Sequence, residues 1–470
     1  MVDSWTNSST ATDLLITVDR AAPVALHRQI EAGIRDRIRS GRLPLGASLP
    51  PTRTLATDLG VSRGIVVEAY QQLVAEGYLS SRPGGYTRVA AGPAVAPPPV
   101  RPARASGVRV DFGYGRADVA HFPRAAWLRS LRRVLTHAPD ERFGYASGQG
   151  VPELRLALAD YLNRVRGTVV TPSTVVVTNG FAQGIALVVQ LLARRGARRI
   201  AVEDPSPDDD ARAHARAAGL EVVGVPVGPD GVDVRALDRV SADALVLTPS
   251  HQWPTGGVLP AAARAGVLRW AREHDAVVVE DDYDAEHRYD RAPVGALQGL
   301  DPDRVIYAGT ASKTLAPGLR VGWLVSPPGW VDDLAAAKVG ADRGSSAIDQ
   351  LALADFLTHG EFDRHLRRMR PVYRRRRDAL LAALAAHLPG FRPAGVAAGL
   401  HLVAWLPPGL SEEAAVTAGL SRGVAVYGVG RYRLSPGPAG LIFGYATLDP
   451  PAIQDGIAHL AAALRGHPGC

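Results

Sequence analysis

Cysteine and lysine are almost missing from this chain of 470 residues. The one cysteine is Cys470, the last residue, which excludes an internal disulfide, a cysteine-built zinc site and a buried catalytic thiol. Long apolar runs are missing too: none approaches the ~20 residues of a membrane span, so no membrane partner is expected. Residues 1–20 are polar and lack the apolar core and cleavage site of a signal peptide, which makes the cytoplasm the expected compartment. Of 53 basic residues only Lys313 and Lys338 are lysines. Gene base composition can thin out lysine by itself, so the two that remain become informative only through their positions.

The rest is ordinary soluble composition, 46% hydrophobic and 21% charged, in a chain long enough for two or more units. The net charge of +7 is unevenly placed: residues 1–110 hold 13 Arg against 8 acidic residues. The part that seeks a polyanion is therefore the N-terminal one. Between Arg88 and Val110 the chain is rich in Pro, Ala and Gly and includes Pro97-Pro98-Pro99, a composition that suits a semi-extended tether. The expected organisation is a tail 1–21, a small domain 22–90, a linker 91–110 and a large domain 111–470.

In the small domain Leu26, Ile30, Ile34 and Ile38 recur at every fourth position, the pattern of an amphipathic helix, ended by Ser40-Gly41. Thr52 is placed to cap a short helix that Gly60 breaks, and Ser62 to cap a longer one with an inward face of Val66, Ala69 and Leu73. Two helices about a glycine turn make a helix-turn-helix, and two extended runs about Pro83-Gly84-Gly85 suit a hairpin wing. Such a unit lays its second helix in the major groove of double-stranded operator DNA. Ser62 and Arg63 would face bases, while Arg53, Arg82 and Arg88 would meet phosphates.

The stretches Leu49-Pro50-Pro51-Thr52-Arg53-Thr54-Leu55-Ala56, Gly60-Val61-Ser62-Arg63 and Ala69-Tyr70-Gln71-Gln72-Leu73 resemble the winged helix of GntR-family regulators. The resemblance adds Tyr70 to the DNA-facing set. Ile65 stands where that family usually has threonine, and the wing's glycines are reduced to Gly84-Gly85.

In the large domain, short β-branched runs at Val175–Thr178, Ile200–Glu203, Ala244–Thr248, Ala276–Glu280 and Val305–Ala308 alternate with helical periods. That alternation reads as α/β with a mostly parallel sheet, whose ligands gather at the carboxyl ends of the strands. Gly180 follows the first run and opens a helix, where free amides attract a phosphate. Asp281 and Tyr283 follow the fourth. Lys313, behind the fifth, is flanked by Thr310 and Ser312 and followed by Arg320, a candidate Schiff-base lysine beside an anion site. Lys338 lies in Ala335-Ala336-Ala337-Lys338 and is expected on a solvated helix face.

A pyridoxal phosphate site needs a lysine for the aldehyde, a carboxylate for the pyridine nitrogen, a phenol for the ring hydroxyl, and amides, hydroxyls and an arginine for the phosphate. Lys313, Asp281, Tyr283, Gly180, Thr310, Ser312 and Arg320 fill those roles in turn. Together with Tyr145-Ala146-Ser147-Gly148-Gln149-Gly150, Thr248-Pro249-Ser250-His251-Gln252-Trp253-Pro254-Thr255-Gly256 and Glu280-Asp281-Asp282-Tyr283-Asp284-Ala285-Glu286, they resemble fold-type I aminotransferases, and more closely the aminotransferase-like half of MocR/GabR-type regulators.

That resemblance implies pyridoxal 5'-phosphate as cofactor, adds Phe181, Ala182 and His251 to its binding set, and makes Lys313 the catalytic lysine. It also implies a homodimer and a small amine or amino-acid effector, with Arg431 in Gly430-Arg431-Tyr432 as the carboxylate-binding arginine. Two departures stand out: Pro207 occupies a segment that commonly carries the ring-stacking aromatic, and the ordinary strand arginine is replaced within Leu441-Ile442-Phe443-Gly444-Tyr445. The expected function is a transcription regulator that senses an amine, an amino acid or the B6 cofactor, without efficient turnover. The alternatives are a working aminotransferase with an accessory DNA-binding domain, and a regulator whose large domain is only a dimerisation scaffold.

Overall fold

Isoleucine at every fourth position builds the first helix, α1 (Leu26–Arg39), whose Ile30, Ile34 and Ile38 are fully buried. They pack with Val66, Ala69 and Leu73 of α3 (Arg63–Ala75) and with Leu55 of the short α2 (Thr52–Asp58) in one core. Gly60 and Gly77 take positive φ where α2 and α3 end, a conformation that costs glycine little. Strands β1 (Leu79–Ser80) and β2 (Arg88–Val89) pair antiparallel as the wing. An ion pair of 2.7 Å joins Arg35 on α1 to Glu76 at the end of α3.

The computed structural model describes residues 14, 16–81, 86–90, 107–289 and 294–465, and the chain divides into two compact units, residues 1–106 and 107–470. Arg82, the Pro83-Gly84-Gly85 turn and residues 91–106 of the expected linker lie outside the described residues. Two capping expectations are corrected. Ser62 occupies the cap position of α3, but its side chain makes no capping hydrogen bond. Pro51, not Thr52, precedes α2, and Thr52 is its first helical residue.

In the larger unit β3 (Val110–Asp111) pairs with a strand at Val424–Ala425. The central sheet has eight strands: β4 (Val175–Thr178), β5 (Arg199–Asp204), β6 (Glu221–Gly228), β7 (Gly231–Val232), β8 (Ala244–Leu247), β9 (Val277–Asp281), β10 (Val305–Thr310) and β11 (Gly322–Val325). Their spatial order is β4-β11-β10-β9-β8-β5-β6-β7. From β10 to β6 neighbouring strands run parallel, whereas β11 is antiparallel to both its neighbours. All five apolar runs of the sequence are strands; β6, β7 and β11 are additions that the sequence pattern does not single out.

The helices α4 (Arg124–His137), α5 (Pro152–Arg166) and the helix Ala347–Thr358 share a core with β4 and β11, while α6 (Phe181–Arg194) and α7 (Ala211–Ala217) contribute to another. A smaller antiparallel sheet of Arg392–Ala394, His401–Trp405, Gly440–Gly444 and Tyr427–Gly428 packs with the helices Glu361–His387 and Pro450–Leu464 in a third. Because β4, β5, β8, β9 and β10 share one direction, the segments after them meet at one end of the sheet.

Candidate functional site

β10 ends at Thr310, and the turn behind it turns Lys313 into a cavity of about 250 Å³. The Lys313 ammonium donates to Gly115 O at 2.6 Å. Burial pushes its pKa down, while the carboxylates Asp281, Asp284 and Asp210 pull the other way. A lowered pKa is what a nucleophilic amine requires. Thr310 Oγ1 accepts the Ser312 N–H at 3.2 Å and lies 3.0 Å from Ser312 Oγ, so both hydroxyls are held on the cavity wall.

β9 delivers Asp281. Its Oδ1 is buried and has no hydrogen-bond partner among the described residues. Burial, reinforced by Asp210, holds this carboxyl well above the usual range, and only Lys313 opposes the shift. A buried acceptor without a donor is costly, so this atom calls for a cationic or N–H group from a ligand. Tyr283 follows on the same wall, its phenol pKa raised by burial. Behind it, His251 Nδ1 lies 3.0 Å from the Tyr283 hydroxyl and 3.0 Å from Asp284 Oδ2. His251 does not line the cavity; it reaches it through Tyr283.

The strand β4 leads into Gly180, whose φ of 84° caps α6 and turns the amides of its first turn outward. A Cβ at Gly180 would stand 3.2 Å from Arg320 Nη2, and that guanidinium donates to Asn179 O at 2.5 Å. A helix N-terminus and an arginine at one glycine form an anion cradle. Phe181 and Ala182, the first residues of α6, line the cavity beside it.

The structure thus brings together Lys313, Asp281, Tyr283, Thr310, Ser312, Phe181, Ala182 and Arg320, with Gly180 and His251 directly behind. Sequence reasoning missed Asp210, Trp253 and His401 on the same wall. The acidic run Asp208-Asp209-Asp210 was the available signal for the first. It also missed Arg166, buried against Asp282 at 2.7 Å.

Two positions differ from expectation. Lys338 is not on a solvated face: it is 1% exposed and donates to Asp342 Oδ2 at 2.7 Å and Ser345 Oγ at 2.8 Å. Asp342 in turn accepts from Asn179 and Gln183, so this lysine closes a buried polar knot. Arg431 is exposed, 5.0 Å above the Tyr432 ring, and lines a separate depression with Glu412, Glu413 and Tyr427 instead of the Lys313 cavity. A short helical turn points consecutive side chains apart, and Tyr432, not Arg431, packs inward against Trp253.

In the smaller unit Arg53, Ser62 and Arg63 are exposed around the start of α3, with Arg63 Nε 3.4 Å from Thr52 Oγ1. Arg88 is exposed on β2 and donates to Gly46 O. Tyr70 is corrected: it is buried in the core and donates its hydroxyl to Pro50 O at 2.9 Å. An aromatic on the inward face of α3 cannot reach a phosphate.

Comparison with known proteins agrees with this geometry. Residues 110–441 match the family described as aminotransferase class I and II, and residues 26–89 match bacterial regulatory proteins of the gntR family. The chain is 36% identical to the probable rhizopine catabolism regulatory protein MocR of Rhizobium meliloti, over 96% of each chain. It is 33% identical to the HTH-type pyridoxine biosynthesis transcriptional regulator PdxR of Corynebacterium glutamicum, over 96% of this chain and 99% of that one. Among solved structures it resembles LysN, an alpha-aminoadipate aminotransferase from Thermus thermophilus complexed with N-(5'-phosphopyridoxyl)-L-leucine. That match has a TM-score of 0.70 and 32% identity, and covers 77% of this chain and 92% of that one.

Proposed function

The chain belongs to the MocR-type family, a gntR-family winged helix joined to an aminotransferase class I and II domain, and from that premise we propose a transcription regulator that binds pyridoxal 5'-phosphate at Lys313. The observation that carries the cofactor is the unpartnered Asp281 Oδ1 facing the same cavity as Lys313. A pyridinium N–H satisfies that oxygen and accounts for a carboxylate left without a donor. Gly180 supports the fit, since any Cβ there would crowd the Arg320 guanidinium where a phosphate would sit. When bound, the cofactor supplies an aldehyde for an amine and a ring that draws electrons.

Lys313 then holds the aldehyde end, Tyr283 the ring oxygen, and Gly180, Thr310, Ser312 and Arg320 the phosphate. The winged helix carries Arg53, Ser62, Arg63 and Arg88 to operator DNA. A homodimer in the cytoplasm, with a small amine or amino acid as effector, completes the reading. None of the described helices is long and apolar enough to cross a membrane.

A second reading is favoured by one position. A carboxylate-bearing effector needs a cation in the cavity, and among the described residues the lining supplies Lys313 and Arg320 as its lysine and arginine, with Arg431 outside it. This favours the B6 cofactor itself as the signal, in line with the Corynebacterium relative, a regulator of pyridoxine biosynthesis.

The test is a binding titration of the full chain on DNA upstream of its own gene, with and without pyridoxal 5'-phosphate and with candidate amines. Specific, salt-sensitive binding that the cofactor or an amine alters supports the regulator. Rapid turnover of an amino acid and a keto acid, with no specific DNA binding, would favour the aminotransferase.

A further inference from the structure

The wall behind Tyr283 holds a buried histidine–carboxylate pair whose geometry fixes where the phenol proton goes. His251 and Asp284 are both almost fully buried, and Nδ1 of the imidazole lies 3.0 Å from Asp284 Oδ2 and 3.0 Å from the Tyr283 hydroxyl oxygen. An ionised carboxylate only accepts hydrogen bonds, so the hydrogen of this pair sits on Nδ1. With Nδ1 carrying a hydrogen, the Tyr283 oxygen is a second acceptor for it and cannot donate to that nitrogen. The hydroxyl proton of Tyr283 is left to point elsewhere, and the cavity it lines lies on its open side.

The chain makes room for this pair. Gly399 has a φ of +76°, and a Cβ there would overlap His251 Cε1, stand 2.7 Å from Nδ1 and 2.8 Å from Asp284 Oδ2. Gly256 approaches the other side of the ring, where a Cβ would be 3.3 Å from Nε2. Two glycines thus make room for the imidazole, and the His401 ring centre lies 5.5 Å from its own.

We propose that Asp284 and His251 are positioning residues that fix the imidazole hydrogen on Nδ1 and thereby aim the Tyr283 hydroxyl proton into the Lys313 cavity. The inference rests on the cofactor reading above, because the group that receives this proton is the ring oxygen of pyridoxal phosphate. A hydroxyl donor stabilises negative charge on that oxygen. Asp284→Asn removes the anion that holds the hydrogen on Nδ1: with the hydrogen on Nε2, Nδ1 becomes an acceptor, and the Tyr283 hydroxyl 3.0 Å away donates to it instead of into the cavity.

The experiment follows the visible absorbance of the full chain, loaded with pyridoxal 5'-phosphate, against pH. The groups that face Tyr283 and also shape this titration are Asp281, Glu203, Tyr445, His401 and Lys313; all are unchanged across the variants. Tyr283→Phe is expected to raise the midpoint by about one pH unit, and Asp284→Asn to raise it comparably. The double variant should move no further than Tyr283→Phe alone, since both changes remove one proton donor. His251→Asn enters the same cycle if Asp284→Asn does not fold, with the same expectation.

Additive shifts, or an Asp284→Asn midpoint equal to that of the parent, would overturn the inference while leaving the cofactor assignment intact. A parent chain with no visible band after loading would instead contradict the cofactor reading, and the inference with it.

Discussion

Arg166 and Asp282 form a buried two-point ion pair, with Nε 2.7 Å from Oδ2 and Nη2 3.2 Å from Oδ1. Burial, the largest single influence, would lower the arginine's pKa, but the charge and hydrogen bonds of Asp282 together with Tyr307 and Glu286 outweigh it and hold it above its ordinary value. Tyr307 adds a hydrogen bond of 2.7 Å to the same carboxylate. Asp282 is therefore neutralised from within the core, and its neighbour Asp281 keeps its free oxygen for the cavity.

Removing one partner strands the other in the interior. Arg166→Met is expected to cost about 3–5 kcal/mol, read as a lower denaturant midpoint for the unloaded chain. A stability within about 1 kcal/mol of the parent would mean that water reaches Asp282 and that the pair does not isolate the two acids.

On the cofactor reading, Asp281→Asn removes the charge that would face the ring nitrogen, and a charge-assisted hydrogen bond contributes about 1.5–3 kcal/mol. Cofactor affinity should fall roughly ten- to a hundredfold, with a shifted absorbance maximum. Asp210→Asn is the comparison, because Asp210 lines the same cavity. If that variant carries the loss and Asp281→Asn does not, Asp210 is the acid at the ring.

Glu203 is buried and accepts hydrogen bonds from both the amide and the hydroxyl of Thr248. Burial pushes its pKa up to about 7 from 4.5. A carboxyl raised on folding gives stability that is full below about 4.5 and is lost as pH rises to about 7, on the order of 3 kcal/mol. Glu203→Gln keeps an acceptor without the charge, so the stability difference between variant and parent should grow across that window. A difference independent of pH would show that Glu203 does not titrate there.

In the smaller unit, Arg53→Ala and Arg88→Ala should weaken binding to all DNA sequences and lower the salt slope by about one each, whereas Arg63→Ala should mainly relax base preference. Tyr70→Phe, which loses only the bond to Pro50, should cost about 1 kcal/mol of stability and leave the slope unchanged. Equal loss of specific and random binding on Arg63→Ala would place that arginine on the backbone.

The parts of this site that were legible in the sequence are those where a strand ends and a polar residue follows. Val175–Thr178, Val277–Glu280 and Val305–Ala308 are apolar enough to mark their own positions, and Gly180, Asp281 and Lys313 follow from them. Strand direction is not written in such runs, so the antiparallel β11 between β4 and β10 was not visible. Neither was the burial of Lys338, since a lysine after three alanines looks the same whether its partner is water or Asp342. The pairing of His251 with Asp284 joins residues 33 apart, and no local pattern foretells it. Tyr70 shows the opposite failure: its motif identifies the family, but helical phase, which puts it beside Leu73 and Val66 inside the core, decides what it touches.

Pyridoxal 5'-phosphate is expected to be held by Lys313 and not by Lys338. Purified Lys313→Ala and Lys338→Ala, each supplied with pyridoxal 5'-phosphate and freed of excess, are compared by visible absorbance with the parent. Lys338→Ala should keep the parent's band, though with lowered stability because Asp342 loses its cation and keeps only its neutral donors Asn179, Gln183 and Gly344, and Lys313→Ala should lose the band. A band retained by Lys313→Ala and lost by Lys338→Ala would place the cofactor on Lys338 instead.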